Sequence, residues 1–502
     1  MYQVTLFINM DLSGAVALFL ATCICCIFIS MWRRKNTSSK LPPGPYPFPF
    51  IGNALQLSGG EVVRALQLLN KRYGPVFTVY MGSRRVVVLW GYDAVKEALV
   101  DQAEEFSGRG ELPSNDRVFQ GCGVILSNGE RWKQLRRFSL MTLRNFGMGK
   151  RSIEERIQEE VQCLLEVLRD AKDMPFDPTK ILCQAVSNVI CSVTFGKRFE
   201  YEDKKFHNLL HMMTETFVQM SSFWGQLQDV LPNVMRYIPG PHHNVQKLLE
   251  DLLHFINEKV KISQESLEPS FPRDFIDCFL IKMEEEKENS ESEFNTKNML
   301  MTVLNLFFAG TETVSTTLRF AFLLLLKHPE VTEKLQKEID CTIGRDRFPN
   351  AEDRSKMPYT EAVIHEIQRI ANVIPMNVPH SVTKDTQFRG YTIPKGTDVF
   401  PVLWSVLQDP SQFSDPAVFN PQHFLDEKDC FKKRDAFMPF SAGKRICLGE
   451  GLARMELFLF LTSILQNFRL ESSMAPEEIN ASPQATGFAN VPRSYLLSFI
   501  AR

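Results

Sequence analysis

Phe440-Ser441-Ala442-Gly443-Lys444-Arg445-Ile446-Cys447-Leu448-Gly449 is the most informative stretch of this chain. The glycines near Cys447 let the backbone approach a large, flat partner and let its N–H groups point at the sulfur. A free thiol titrates near ~8.5, so a thiolate that binds a metal needs N–H donors, a cation or the metal itself to stay ionised. Arg445, two residues upstream, can supply that cation. A lone cysteine is more often a small buried hydrophobe, so the neighbouring residues decide between the two interpretations.

Other chemistries for this region fail on individual residues. Ala442-Gly443-Lys444 is similar to the end of a phosphate-binding loop, but Met438 stands where its first glycine belongs and Arg445 replaces the Ser or Thr. No second cysteine is close enough for a C-x-x-C redox pair. His365-Glu366 begins like a zinc-binding helix, but Arg369 occupies the position of the second histidine.

The spacing F-x-x-G-x-R-x-C-x-G resembles the haem-ligand loop of the cytochrome P450 superfamily, with every fixed position filled. The resemblance extends over the whole chain. It implies a mainly α cytochrome P450 fold with a small β-rich region, preceded by a single N-terminal transmembrane helix. It also implies haem b (iron-protoporphyrin IX) as the cofactor, with Cys447 as the axial ligand of its iron. Phe440, Gly443, Arg445 and Gly449 are the matched cofactor-binding residues of this loop.

Three further segments resemble the vertebrate microsomal family-2 members: residues 140–150, Gly310-Thr311-Glu312-Thr313 and Phe437-Met438-Pro439-Phe440. This implies an unspecific haem-thiolate monooxygenase that inserts one atom of dioxygen into a lipophilic substrate by hydroxylation or epoxidation. The chain has no flavin or nicotinamide fingerprint, so electrons must arrive from outside it. The resemblance implies that they come from NADPH through cytochrome P450 reductase, with cytochrome b5 as an optional second partner. The substrate class stays open between xenobiotics, fatty acids such as arachidonate, and steroids.

The apolar segment 304–313 has a polar break at its centre. Ala309 and Thr313 share one helix face, because they are four residues apart. Glycine inside a helix costs ~1 kcal/mol, so Gly310 should serve a purpose such as a bend or room for a small ligand. The resemblance makes Glu312 the acid and Thr313 the alcohol that supply protons, and places Ala309 at the cofactor. Two alternatives to a monooxygenase remain. The first is an electron-independent isomerase or dehydratase, against which the intact Glu312-Thr313 pair argues. The second is a non-catalytic membrane haem protein.

The two carboxylates of haem need cations and hydrogen-bond donors. Trp132 and Arg136, four apart, match the W-x-x-x-R clamp of the family, and Arg109 and His380 match two further contacts. With Arg445 these residues supply enough positive charge and donors for two carboxylates.

Glu366 and Arg369 stand three residues apart, which by itself is a common surface pair of little weight. Together with residues 419–424 they resemble the buried salt-bridge network of the family, where His423 replaces the commoner arginine. The resemblance implies a structural role for these three residues.

The resemblance also assigns contacts with the substrate and the redox partner. The substrate positions are uncharged, which fits a lipophilic substrate that enters from the bilayer, and the Phe217 region is a mobile lid. They are Ile125, Ala309, Val378 and Phe488. Cations for docking an acidic redox partner are predicted at Lys133, Arg137, Arg144, Lys150, Lys444 and Arg454.

Residues 12–32 contain no charged side chain and are long enough to span a ~30 Å hydrocarbon core at ~1.5 Å per residue. Arg33, Arg34 and Lys35 follow, so the positive-inside rule places the N-terminus in the lumen of the endoplasmic reticulum and the catalytic domain in the cytosol. A cleaved signal peptide is the competing interpretation. The predicted domains are a membrane anchor (1–32), a basic, proline-rich linker (33–49) and the catalytic domain (50–502).

The composition supports this organisation. The 502 residues carry a net charge of −2 without long basic runs, which argues against nucleic acid as a partner. The 11 cysteines show no disulfide-like rhythm, which favours a reduced, cytosol-facing body. Hydrophobic patterns predict a hairpin over 76–89, more strands at 388–400, and helices over 151–170, 244–263, 295–327 and 447–467.

Overall fold

The computed structural model describes residues 22, 40–57, 62–146 and 151–502. The predicted membrane segment 12–32 (apart from Thr22), the basic cluster 33–35 and the predicted docking residue Lys150 lie outside these ranges. Within them, no helix has both the length and the apolar character needed to cross a bilayer.

Helices make up most of the described chain, in agreement with the predicted fold class. In chain order they are α1 (Ala54–Leu57), α2 (Val62–Tyr73), α3 (Tyr92–Lys96), α4 (Pro113–Phe119), α5 (Gly123–Leu126), α6 (Gly129–Asn145), α7 (Arg151–Asp170), α8 (Thr179–Thr194), α9 (Lys204–Ser221), α10 (Phe223–Val230), α11 (Pro232–Met235), α12 (His242–Glu265), α13 (Phe275–Glu285), α14 (Thr296–Lys327), α15 (Pro329–Thr342), α16 (Pro358–Ala371), α17 (Leu403–Leu407) and α18 (Glu450–Asn467). Short 3₁₀ turns cover Asp353–Lys356, Pro421–Phe424, Gly443–Arg445 and Pro476–Glu478, and a π turn covers Glu97–Asp101.

The β structure is small and lies mainly beside the helices. The strands are β1 (Val76–Met81), β2 (Arg84–Leu89), β3 (Gly108–Arg109), β4 (His380–Ser381), β5 (Thr386–Phe388), β6 (Tyr391–Ile393), β7 (Asp398–Pro401), β8 (Phe468–Glu471), β9 (Pro483–Thr486), β10 (Asn490–Pro492) and β11 (Ser498–Ala501). The largest sheet has the order β1-β2-β7-β4-β3, in which β2 and β7 are parallel. The pairs β5–β6, β8–β11 and β9–β10 form separate two-stranded sheets.

Helix α14 is the centre of the fold. Its N-terminus is capped by Asn295, whose side chain accepts a hydrogen bond from the N–H of Asn298. Most of its residues are buried, because other helices pack against it on several sides. It packs closely against α8 at Gly310, where a Cβ atom would lie 2.5 Å from Cδ1 of Ile190. This close approach between two helices is a requirement for glycine at position 310 that the sequence analysis did not identify, since it suggested a bend or room for a small ligand.

The proline-rich segment is attached to the sheet. Thr78 of β1 donates hydrogen bonds from its Oγ1 to the carbonyl of Pro42 (2.9 Å) and from its N–H to the carbonyl of Pro43 (2.8 Å). The N–H of Thr392 donates to the carbonyl of Lys40 (2.7 Å). The C-terminal part of the predicted linker 33–49 is therefore bound to the catalytic body.

The predicted elements agree closely with the described ones, except at one boundary. The hairpin turns at Gly82-Ser83 as predicted, and α7, α12 and α14 lie within two residues of their predicted limits. The last long helix begins at Glu450 instead of at residue 447. Its start is delayed because the N–H of Cys447 donates to the carbonyl of Phe440 (3.0 Å), which holds the cysteine in a turn.

Candidate haem-thiolate site

The cysteine loop is held against a neighbouring backbone. Gly443 opens the 3₁₀ turn Gly443–Arg445 with a positive φ of 71°, which favours glycine. A Cβ atom at this position would overlap the carbonyl oxygen of Leu99. The loop then places Cys447 at the wall of a cavity of ≈ 270 Å³, opposite Ala309 and Thr313 of α14.

The sulfur of Cys447 is accessible from the cavity but enclosed by protein on its other sides. Burial raises the pKa of this thiol, whereas the N–H groups of Gly449 and Glu450 and the guanidinium of Arg136 act to lower it. The Glu450 carboxylate acts in the same direction as burial. A thiolate here consequently depends on a bound metal ion as well as on the loop.

Three arginines converge beside this cysteine. Arg136 donates to the carbonyl of Ile446 (2.6 Å), and Arg109 donates to the carbonyls of Val378 (3.0 Å) and Pro379 (3.1 Å). The Nε of Arg445 donates to the carbonyl of Ser107 (2.8 Å), and its guanidinium lies 3.8 Å from the ring centroid of Trp132.

Their positive charges are not balanced by acidic groups. Among the described residues, none of the three arginines forms an ion pair with an Asp or Glu side chain. Burial, reinforced by the neighbouring cations, lowers the pKa of Arg109 to about 9 and that of Arg445 to about 8. Burial also lowers the pKa of Arg136. Such a cluster is an electrostatic site for an anion with more than one negative charge.

Three residues of this region each have a buried polar side-chain atom without a described partner. Nε1 of Trp132, Nη1 of Arg445 and Nε2 of His380 are buried and bond to no described protein atom. Nδ1 of His380 donates to the carbonyl of Phe106 (2.8 Å), and burial, followed by the charge of Arg109, lowers the pKa of this imidazole to about 3. His380 does not line the cavity itself.

These observations fit haem. Cys447 offers a thiol at the cavity wall, and the arginine cluster with Trp132 offers charge and free donors for two carboxylates. The structure thus brings the sequence-predicted residues Arg109, Trp132, Arg136, Phe440, Arg445, Cys447 and Gly449 to one cavity. Gly443 supports that cavity through its contact with Leu99.

The predicted acid and alcohol face different ways. Thr313 lines the cavity and donates from Oγ1 to the carbonyl of Ala309 (2.7 Å). Glu312 is buried away from the cavity lining, where its Oε1 accepts from Oγ1 of Thr214 (2.8 Å) and lies 3.9 Å from Sγ of Cys183. Burial raises the pKa of Glu312 to about 7, against the opposing effects of Thr214, Arg319 and Cys183.

Three of the four predicted substrate residues, Ile125, Ala309 and Val378, line the cavity. Phe488 does not line it, but packs edge-on against Phe217 with a centroid separation of 6.2 Å. Phe217 in turn contacts Phe308 of α14 at 6.0 Å. Sequence reasoning did not identify several other lining residues, because scattered apolar side chains carry no local signal. They include Val124, Leu306, Val373, Ile374 and Leu403.

The predicted salt-bridge network is present and fully buried. Arg369 donates through Nε and Nη2 to both carboxylate oxygens of Glu366, each at 2.7 Å. The same guanidinium bonds to the carbonyls of Leu407 (2.9 Å) and Pro416 (2.7 Å). Nδ1 of His423 lies 3.1 Å from Oε1 of Glu366. The network ties α16 to the turn Pro421–Phe424.

The predicted docking cations are only partly free. Lys133, Arg137 and Arg144 are exposed, although Lys133 pairs with Glu130. Lys444 is exposed and pairs with Glu104, and Arg454 is half-buried and pairs with Glu450.

A second pocket, of ≈ 450 Å³, lies beside the cysteine loop. Its lining includes the basic residues Arg354, Lys433 and Arg434, which sequence reasoning did not identify.

Comparison with known proteins supports the same identification. The family model described as cytochrome P450 matches residues 42–499. Cytochrome P450 2G1 of Oryctolagus cuniculus is 58% identical over 494 residues, which cover 98% of this chain and 100% of the relative. Cytochrome P450 2A13 of Homo sapiens is 58% identical over 492 residues, with 97% and 100% covered. Cytochrome P450 2A6 of Homo sapiens is 57% identical over 491 residues, with 98% and 99% covered.

Family-2 cytochromes P450 use redox partners and lipophilic substrates, and similarity to them supports an association with the endoplasmic reticulum membrane. A thiol at the cavity wall, unpaired cations for two carboxylates and near-complete coverage by these relatives all agree. The chain belongs to the cytochrome P450 family and is a haem-thiolate monooxygenase with haem b as its cofactor.

Proposed function

We propose that this monooxygenase oxidises lipophilic compounds in the cavity between α14 and the cysteine loop. The observation that carries the proposal is the shared cavity wall of Cys447, Thr313 and apolar side chains such as Ile125 and Val378. Bound haem supplies the reduction of dioxygen and the transfer of one of its atoms to the substrate. Apolar walls favour substrates that leave water readily, and they exclude water from the reacting centre.

Cys447 is proposed to hold the haem iron through its sulfur, and donation from this thiolate would support the oxygen chemistry that haem supplies. Arg109, Arg136 and Arg445 are proposed to hold the two carboxylates of the cofactor, with Trp132 as an additional donor. The support is their lack of acidic partners among the described residues and the free Nε1 and Nη1 atoms of Trp132 and Arg445. His380, with a free Nε2, is proposed to lie next to one carboxylate.

Glu312 and Thr313 are proposed to supply protons. Thr313 lines the cavity, and its hydroxyl, which donates to the carbonyl of Ala309, is proposed to pass the proton on. A carboxyl with a pKa of about 7 is partly protonated at neutral pH, so Glu312 can hold a proton for delivery. Glu312 reaches the cavity through a rotation of its side chain or through an intervening water molecule.

Electrons are proposed to come from NADPH through cytochrome P450 reductase, with cytochrome b5 as an optional donor. The exposed cations Lys133, Arg137 and Arg144 of α6 lie on the helix that also carries Trp132 and Arg136. An acidic redox partner that binds there approaches the cofactor from the side of the cysteine loop. We place the catalytic domain in the cytosol, with the N-terminus in the lumen of the endoplasmic reticulum.

The test is turnover in phospholipid vesicles with reductase and NADPH. Lauric acid, testosterone and 7-ethoxycoumarin are supplied in turn, and product formation and the spin state of the haem are recorded. We expect NADPH-dependent oxidation of at least one compound, and no oxidation by Cys447→Ala. Cys430→Ala, which removes an exposed cysteine, is the matched control and should keep full activity.

Two results would contradict the proposal. Conversion of hydroperoxides without any NADPH-dependent oxidation would indicate an isomerase or dehydratase. A haem-loaded protein that consumes no NADPH with reductase present would indicate a non-catalytic haem protein.

A further inference from the structure

Glu312 is held by a helix other than its own. It lies on α14, but its Oε1 accepts a hydrogen bond from Oγ1 of Thr214 on α9, at 2.8 Å. Glu312 is 3% exposed, so this bond replaces one that water would otherwise provide. Cys183 of α8, with its Sγ at 3.9 Å, completes the surroundings of the same oxygen.

The same helix packs against the cavity wall, because Phe217 shares an apolar cluster with the lining residues Val373 and Ile374. Phe217 lies three residues after Thr214 on α9 and contacts Phe308 of α14 and Phe488. Oγ of Ser221, at the end of α9, accepts from the N–H of Ala489 (3.0 Å). Thr214 and Phe217 therefore move together when α9 moves relative to α14, because residues three apart occupy one face of a helix.

We propose that Thr214 is a positioning residue that holds Glu312 outside the cavity, so that proton delivery by Glu312 depends on where α9 lies. A substrate that displaces Phe217 also displaces Thr214, and this frees the carboxyl group to turn towards Thr313. The inference rests on the proposed function of Glu312 as a proton donor. No proton is gained or lost by Thr214, and the proton that Glu312 delivers is replaced from solvent.

The electrostatic surroundings give the direction of the expected effect. Burial raises the pKa of Glu312, whereas the hydroxyl of Thr214, the guanidinium of Arg319 and the thiol of Cys183 lower it. Removal of the Thr214 hydroxyl therefore raises the pKa of Glu312 further. Protonated Glu312 then persists to higher pH, and so does any step that needs its proton.

The experiment measures product formed per NADPH oxidised between pH 6 and 9, with reductase and whichever panel compound the parent oxidises. Hydrogen peroxide release is recorded in the same samples. Thr214→Val removes the hydroxyl with little change in shape, and Thr214→Ser keeps it. Thr216→Val is the matched control, since Oγ1 of Thr216 bonds to the carbonyl of Met212 on its own helix (2.7 Å) and leaves Glu312 untouched.

We expect the alkaline limb of the pH profile, where product per NADPH falls as the pH rises, to move up in Thr214→Val by roughly one to two pH units, the change expected for loss of one hydrogen bond to a carboxylate. Thr214→Ser and Thr216→Val should keep the limb of the parent. In Glu312→Gln, the fall in product per NADPH at alkaline pH should disappear, and more hydrogen peroxide should be released. The double variant Glu312→Gln/Thr214→Val should behave like Glu312→Gln alone. All variants are first checked for the ferrous carbon monoxide band of thiolate-ligated haem.

The outcomes separate the two proposals. If the alkaline limb of the pH profile is the same in Thr214→Val and Thr216→Val, and Glu312→Gln still releases more peroxide, only the role of Thr214 is overturned. If Glu312→Gln has the same alkaline limb and the same peroxide release as the parent, Glu312 does not supply the proton. The proposed role of Thr214 then fails as well.

Discussion

Arg109, Arg136 and Arg445 concentrate three positive charges at one wall of an enclosed cavity. A buried charge is costly unless it is paired, and their lowered pKa values express this cost. In the proposed arrangement, the two carboxylates of haem relieve this repulsion when the cofactor binds. Haem binding and the stability of this wall are therefore coupled, since a ligand that binds only the folded state stabilises it.

Trp132→Phe tests this coupling at a single atom. Nε1 of Trp132 bonds to no described protein atom, so the substitution removes the donor that we propose for the cofactor and breaks no described hydrogen bond within the protein. Loss of one hydrogen bond to a charged acceptor should speed haem dissociation about 10- to 100-fold, measured as haem transfer to apomyoglobin. Trp404→Phe, in the sheet-side core, is the control. Equal dissociation rates for the two variants would contradict the assignment.

The sequence specified the residues of the site better than their orientations. Cys447 and Arg445 could be predicted, because fixed spacing within one loop carries the information. The partners of Glu312 could not be predicted: Thr214 and Cys183 come from two other helices, about 100 residues or more away along the chain. Neither residue has a local pattern that distinguishes it from an ordinary helical side chain.

At the scale of elements, the cysteine loop depends on the backbone at Leu99, the third residue of the π turn Glu97–Asp101. Gly443→Ala would place a Cβ atom on the Leu99 carbonyl and would strain the backbone at φ 71°. Strain and overpacking together should cost about 2–4 kcal/mol of stability, which we expect to appear as a lower thermal midpoint and a low yield of haem-loaded protein.

Gly451→Ala provides the comparison for that prediction. Gly451 lies in the first turn of α18, and no described atom lies within 4 Å of its added Cβ. Alanine favours a helix, so this variant should be as stable as the parent or slightly more stable. A thermal midpoint for Gly443→Ala equal to that of Gly451→Ala would show that the contact with Leu99 is dispensable.

Helices and the hairpin could be predicted because their signals are local: hydrophobic period, and Gly82-Ser83 at the turn. The parallel pairing of β2 with β7 could not, since Val86 meets Asp398 across more than 300 residues of chain. The start of α18 was also missed. The apolar pattern continues back to Cys447, but the hydrogen bond of its N–H to Phe440 prevents the helix from beginning there.

At the scale of the whole molecule, His365 makes stability depend on pH. Its Nδ1 donates to the carbonyl of Glu361 (2.8 Å) and its Nε2 faces Nη1 of Arg454 (2.9 Å), so the neutral imidazole fits this place. Burial lowers its pKa from 6.5 to about 4. Between these values the unfolded chain binds the extra proton, so stability is lost as the pH falls from 6.5 towards 4.

The loss from His365 alone should reach about 2 kcal/mol at pH 5. We expect the thermal midpoint to fall between pH 7 and pH 5, and His365→Leu to remove part of that fall. His254→Leu, at an exposed position, is the control and should keep the acid sensitivity of the parent. The prediction is wrong if His365→Leu and the parent lose the same number of degrees over this interval.

The bonds of Lys40, Pro42 and Pro43 attach this segment to two sheets of the catalytic body. If the predicted segment 12–32 spans the membrane, residues 33–39 are the linker between the membrane and the catalytic body. A fully extended chain of this length spans at most roughly 25–30 Å. The catalytic body is then kept within about its own radius of the lipid, where compounds dissolved in the bilayer are most concentrated.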